Sequence, residues 1–82
     1  MTVAGIQELA NMYCAAVAAS DHGQPSGHLY AMVAMPRGAT LDEHELAVGA
    51  LRRAGLVRVE HHLVTWTGPE ELRQRLRAAM ED

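Results

Sequence analysis

Five histidines, ten carboxylates and a single cysteine are the groups in this 82-residue chain that could hold a metal, move a proton or attack an electrophile. Their spacing favours none of these uses. His61 and His62 are adjacent, so on a strand they point to opposite faces, and no cysteine, aspartate or further histidine stands at ligand spacing around them. They read as polar residues at the tip of a turn. His22, His28 and His44 are scattered, and His44 reads as a half-buried side chain on a helix rather than a proton switch. Cys14 has no second thiol for a disulfide or a zinc site, which fits a small apolar residue in a reduced, cytoplasmic setting. Glu70 and Glu71 sit where a helix start favours negative charge, with Glu71 expected to reach Arg75 and Arg77 to reach Glu81. Arg73, Arg75 and Arg77 do not share one helical face and are expected to form a solvated shell. With no glycine-rich phosphate loop and no nucleophile elbow, the expectation is a chain that is not an enzyme and that carries no metal or cofactor.

The elements that would position these residues follow from periodicity and turn chemistry. Ile6, Leu9, Tyr13, Ala16 and Val17 recur at helical spacing and predict a first helix over residues 3–19, wet at Gln7, Glu8 and Asn11. Met12, Ala15 and Ala19 form a second stripe on that helix, expected to pack on another copy in a homodimer. Residues 20–27 are rich in turn formers and read as a loop, ending at Ser26 as the cap of a short second helix over residues 27–35. Leu29, Met32 and Val33 are expected to face inward there, and Pro36 to Ala39 to break the helix. Thr40 and Glu43 make a capping box for a third helix that Gly55 ends in the left-handed conformation. Residues 56–59 and 63–66 predict a hairpin around Glu60, His61 and His62. Thr67 and Glu70 repeat the capping box, and Leu72, Leu76, Ala79 and Met80 give the last helix a narrow apolar stripe. Trp66 is expected in the core, Tyr30 at a semi-exposed interface, and Met32, Met35 and Met80 as adaptable core fillers.

The bulk numbers fit one small domain. Apolar residues make up 49% of the chain, yet phenylalanine is absent, so an aliphatic core suited to helices is expected. The apolar run of residues 12–19 is far too short to span a bilayer, so no membrane association is expected. The fold class predicted is mainly α with a small β-hairpin, in the order helix, helix, helix, hairpin, helix.

Leu51, Ala54-Gly55-Leu56-Val57, then Val64, Trp66-Thr67-Gly68 and Leu72 resemble the recognition helix, wing and following helix of winged helix-turn-helix regulators of the bacterial type. The resemblance covers about a third of the chain directly, and it implies a module for transcription regulation that docks its third helix in the major groove of duplex DNA. In that role Arg37, Arg53, Arg58, His61 and His62 would meet phosphates. The residues themselves pull the other way. A net charge of -3 gives no bulk attraction to nucleic acid. If Ala47, Val48, Leu51 and Ala54 face the core, the helical step puts Asp42, Glu43, Leu46, Gly49, Ala50 and Arg53 outside, where a groove reader would show Arg, Lys, Asn, Gln or Ser. The alternative is therefore a protein-binding adaptor or inhibitor that uses Asp42, Leu46, Gly49 and Ala50.

Overall fold

A computed structural model describes residues 3–81, with the side chains of residues 3 and 81 left undescribed. The chain folds in the predicted order, mainly helical with a small antiparallel sheet, an arrangement compatible with a helix-rich, winged-helix-like fold. Helix α1 spans Val3–Ala19 and packs against both α3 (Leu41–Arg53) and α4 (Glu70–Glu81). Its Leu9, Tyr13 and Val17 are fully buried, joined by Leu29 and Val64 from the opposite side of the core. No helix among the described residues is long and apolar enough to cross a membrane.

The segment read as a loop contains a strand. Gln24–Pro25 forms β1, which pairs antiparallel with β3 (Leu63–Trp66), while β3 pairs on its other edge with β2 (Val57–Glu60). Pro25 stands on the outer edge of this three-stranded sheet, the place in a sheet where a residue without an N–H is tolerated. Gly23 leads in at φ 84°, and a Cβ there would lie 2.6 Å from the Val64 carbonyl oxygen, so only glycine lets β1 approach β3 this closely.

Helix α2 begins at Ser26, and its α-helical part ends at Leu29. The chain continues helically through a π-type stretch, Tyr30–Ala34, and a 3-10 turn, Met35–Arg37, that contains Pro36. A proline at this point has no N–H for the carbonyl four residues back, and the widened turn before it absorbs the mismatch. Two expectations fail in this segment. Ser26 makes no capping bond to the helix, and Met32, expected inside, is 63% exposed. Met35 and Met80, expected as core fillers, are also exposed, at 58% and 55%.

Helix α3 starts as predicted. The Thr40 hydroxyl accepts from the Glu43 amide at 3.2 Å and the Glu43 carboxylate accepts from the Thr40 amide at 2.8 Å, a bond that holds the Glu43 carboxyl below its ordinary pKa. Past its end, Gly55 adopts φ 75°, the left-handed stop expected of it. The second capping box does not form. Helix α4 begins at Glu70, the Thr67 hydroxyl donates instead to the Gly55 carbonyl at 3.4 Å, and Glu70 accepts from Gln74. Trp66 is half-buried as a flank of the core, with its indole Nε1 buried and unpartnered.

The arginines of α4 are not a solvated shell. Arg75 does pair with Glu71, but Arg73 and Arg77, one turn apart, both turn to the end of α1. Both donate through Nε to the Ala18 carbonyl, at 3.1 and 2.8 Å, and Arg73 also reaches the Ser20 carbonyl at 2.9 Å. Arg77 binds the Asp21 carboxylate at 2.7 Å, and that bond and charge hold the Asp21 carboxyl below its usual range, while the expected pairing of Arg77 with Glu81 lies outside the described side chains. Cations thus meet the negative end of the α1 dipole and satisfy carbonyls that the helix itself leaves open.

Candidate functional site

The surface that separates the DNA and protein readings is the outer side of α3 with the adjoining hairpin. Helical phase decides what it shows. His44, Ala47, Val48 and Leu51 point into the core, while Asp42, Leu46, Ala50 and Arg53 are exposed and Gly49 is half-buried. Ala54, expected inside, is exposed, because it lies beyond the last helical turn as the chain turns toward the hairpin. Charge on this helix is sorted along its length. Asp42, Glu43 and Glu45 lie in its first half and Arg52 and Arg53 in its last turn, the sense that the helix dipole favours.

A groove of about 320 Å³ lies beside α3, lined by Ser26, His44, Glu45, Val48, Gly49, Arg52 and Val59. A second hollow of about 340 Å³ shares Gly49 and Arg52 and adds Arg53. Gly49 leaves this side of the helix without a side chain, and the Arg53 guanidinium takes up the space, since a Cβ at Gly49 would lie 3.3 Å from Arg53 Nη1.

The predicted phosphate-binding set is not equally available. Arg37 is bound to Glu8 of α1 at 2.5 Å, and Arg58 lies 3.4 Å from Glu60 on its own strand. Arg53 keeps its guanidinium without an ion pair or hydrogen bond among the described residues, as does its neighbour Arg52. His61 and His62 form the hairpin's two-residue turn, both exposed and both left-handed at φ 50° and 66°. That is the backbone of a type I′ turn, which glycine and asparagine adopt more readily than histidine. In the predicted self-association stripe, Met12 is 38% exposed, Ala19 is exposed and Ala15 is half-buried.

His44 is the residue that sequence reasoning underestimated. It is 4% exposed, with Nδ1 at 2.6 Å from the Tyr13 hydroxyl and Nε2 at 3.0 Å from the Ser26 hydroxyl. The rings of Tyr13 and Tyr30 stand edge-on to it, each with centroids 5.3 Å away. Burial lowers the His44 pKa and, together with the nearby Tyr30, pushes that of Tyr13 up to about 12. The imidazole is therefore neutral, donating through one nitrogen and accepting through the other, and each hydroxyl can supply the complementary role. Ser26 next to a histidine is a nucleophile-and-base pairing in outline, and both line the groove beside α3, but the imidazole is buried and its other nitrogen is held by the Tyr13 hydroxyl. What the trio does is tie α1, α2 and α3 together across the core. The signal lay in the phase of α3, because positions 44, 47, 48 and 51 follow the i, i+3, i+4, i+7 pattern of a buried face.

The chain matches no protein-family model, no curated protein and no solved structure. The surface chemistry of α3 and the hairpin is accordingly what a functional reading has to rest on.

Proposed function

We propose that the chain is a winged-helix-like protein-interaction module whose partner docks on the outer face of α3. The composition of that face carries the reading: Leu46, 52% exposed, stands beside small Gly49 and Ala50, with Asp42 and Arg53 at the two ends. Such a face offers an apolar contact bounded by charges that select orientation, the anatomy of a small protein interface. A helix that reads duplex DNA leads with its N-terminal half, and here that half carries three carboxylates, which repel phosphates. The pairing of Arg37 with Glu8 and of Arg58 with Glu60 weakens the backbone contacts that the DNA reading needs. A cytoplasmic setting belongs to the proposal, since Cys14 is a buried free thiol whose pKa burial raises, an inert form of cysteine.

One observation favours duplex DNA as the second reading. Arg52 and Arg53 hold guanidiniums without an ion pair among the described residues next to the hairpin, where two phosphates could be met, in line with the regulators that the sequence resembles. A paired experiment separates the two. Fluorescence anisotropy with a generic duplex at about 50 mM salt should show no binding at tens of micromolar protein. Affinity capture with the tagged chain should retain a protein that the Leu46→Asp variant loses at least tenfold, on the order of 1.4 kcal/mol, while the helical circular dichroism is unchanged. Micromolar duplex binding that falls steeply with salt and disappears in Arg52→Ala/Arg53→Ala would overturn the protein reading in favour of DNA.

A further inference from the structure

We infer that the occupant of the α3 face is a second copy of this chain, with the two α3 helices packed antiparallel about a two-fold axis. The inference rests on the reading of that face as a protein-docking surface and adds the partner. At about 100° per residue, Asp42, Leu46, Gly49, Ala50 and Arg53 fall within an arc of about 100°, directly opposite the buried face of His44, Ala47, Val48 and Leu51. The stripe is self-complementary. With the axis at the level of the Ala47–Val48 peptide, antiparallel pairing sets Asp42 opposite Arg53 of the second copy and Leu46 opposite its Gly49. The same operation repeats both contacts in reverse, as an isologous interface requires.

Each part of the stripe then has a partner that it lacks in the single chain. Neither the Asp42 carboxylate nor the Arg53 guanidinium forms an ion pair or hydrogen bond with any described residue. The two stand about 16 Å apart along the axis at 1.5 Å per residue, so the two ion pairs of the assembly would bracket its apolar centre. Gly49 and Ala50 let the helices approach at the short end of the usual spacing of about 8–10 Å, and the space over Gly49 receives the exposed Leu46 once the Arg53 guanidinium that lies there swings out to Asp42 of the second copy. A glycine inside a helix is unfavourable by roughly 1 kcal/mol relative to alanine, and nothing inside the single chain calls for one, since a Cβ there would meet only the side chain of Arg53. The flank repeats the polarity, with Glu45 in the acidic half and Arg52 in the basic half, so parallel pairing would set like charges together. Three helical turns make a small interface, so the dimer belongs to the weak class, with a dissociation constant on the order of 10–100 µM.

Sedimentation equilibrium of the full chain over about 10–500 µM tests this directly, a range that brackets the expected constant. The weight-average mass of the wild type should rise from one protomer toward two. Asp42→Arg and Arg53→Asp should each weaken association at least about tenfold, and the double variant Asp42→Arg/Arg53→Asp should restore it, because the swap re-forms both pairs in a two-fold assembly. Charge reversal near the ends of a helix can also weaken the helix itself, so a second measurement avoids those positions. Leu46→Cys, which falls beside the axis, should give a disulfide-linked dimer on mild oxidation, whereas Met32→Cys on the exposed surface of another element should not. A wild type that stays monomeric throughout, or single reversals that associate like the wild type, would overturn the inference. If self-association is absent but capture of another protein still depends on Leu46, the docking reading stands and the second copy alone is excluded. If Leu46→Asp alters neither, both are excluded.

Discussion

At the scale of single residues, His44 links the fold to pH. Burial holds its pKa below the ordinary value, whereas in the unfolded chain the imidazole titrates near its usual value of about 6.5. As pH falls through that value, the unfolded chain takes up a proton that the folded chain does not. Stability is therefore fully present above about pH 7 and declines below about 6.5, with a slope of at most about 1.4 kcal/mol per pH unit, until the folded-state pKa is reached. Asp21 and Glu43 have lowered pKa values and add a loss of the same sign, but in the more acidic carboxylate range, so the two effects separate along the pH axis. Urea denaturation midpoints at pH 7.5, 6.5 and 5.5 should fall in that order for the wild type and run nearly flat for His44→Gln. An equal slope in the variant would show that another group takes up the proton.

At the scale of elements, the hairpin is built on a turn that its residues resist. His61 and His62 both adopt the left-handed region, where a side chain with a Cβ is disfavoured by about 1–2 kcal/mol per residue and histidine somewhat less than most. Replacing the pair with the residues that the turn prefers, His61→Asn/His62→Gly, should raise stability by about 1 kcal/mol and the melting temperature by several degrees, read by a thermal melt. An unchanged or lower melting temperature would mean that the histidines hold the sheet in a way their backbone does not reveal. What could be read ahead of the structure divides along the same line. The Thr40 capping box and the Gly55 stop were legible because each is complete within a few residues, and the outer stripe of α3 followed from helical phase. Strand β1 was not, since Gln24 and Pro25 are a strand only through β3, some forty residues later in the chain. The loss of Arg37 to Glu8 and the bonds from His44 to Tyr13 and Ser26 also join distant segments, so the candidate site was legible as a face but not in which of its cations stay free.

At the scale of the whole molecule, the question is how a chain this small keeps α4 attached. Leu72 and Leu76 are only half-buried and the far end of the predicted apolar stripe, Ala79 and Met80, is exposed, so the helix contributes little apolar burial for its length. The donations of Arg73 and Arg77 to the end of α1 make up the difference. These side chains are 20% and 29% exposed, and each satisfies a carbonyl that would otherwise be left with water or nothing. A chain ended after Ala79 loses the exposed Met80 and keeps both arginine donations, and should melt within about 2 °C of the full length. Arg73→Ala/Arg77→Ala keeps the leucines but opens the end of α1, and should lower stability by about 2–3 kcal/mol, a drop of about 10 °C or more in a domain of this size. A chain ended after Pro69 loses both contributions and should unfold at the lowest temperature of the series. The order of the three melts carries the argument: if the double arginine variant melts with the full chain while the Pro69 truncation does not, the half-buried leucines hold the helix and the arginine caps are incidental.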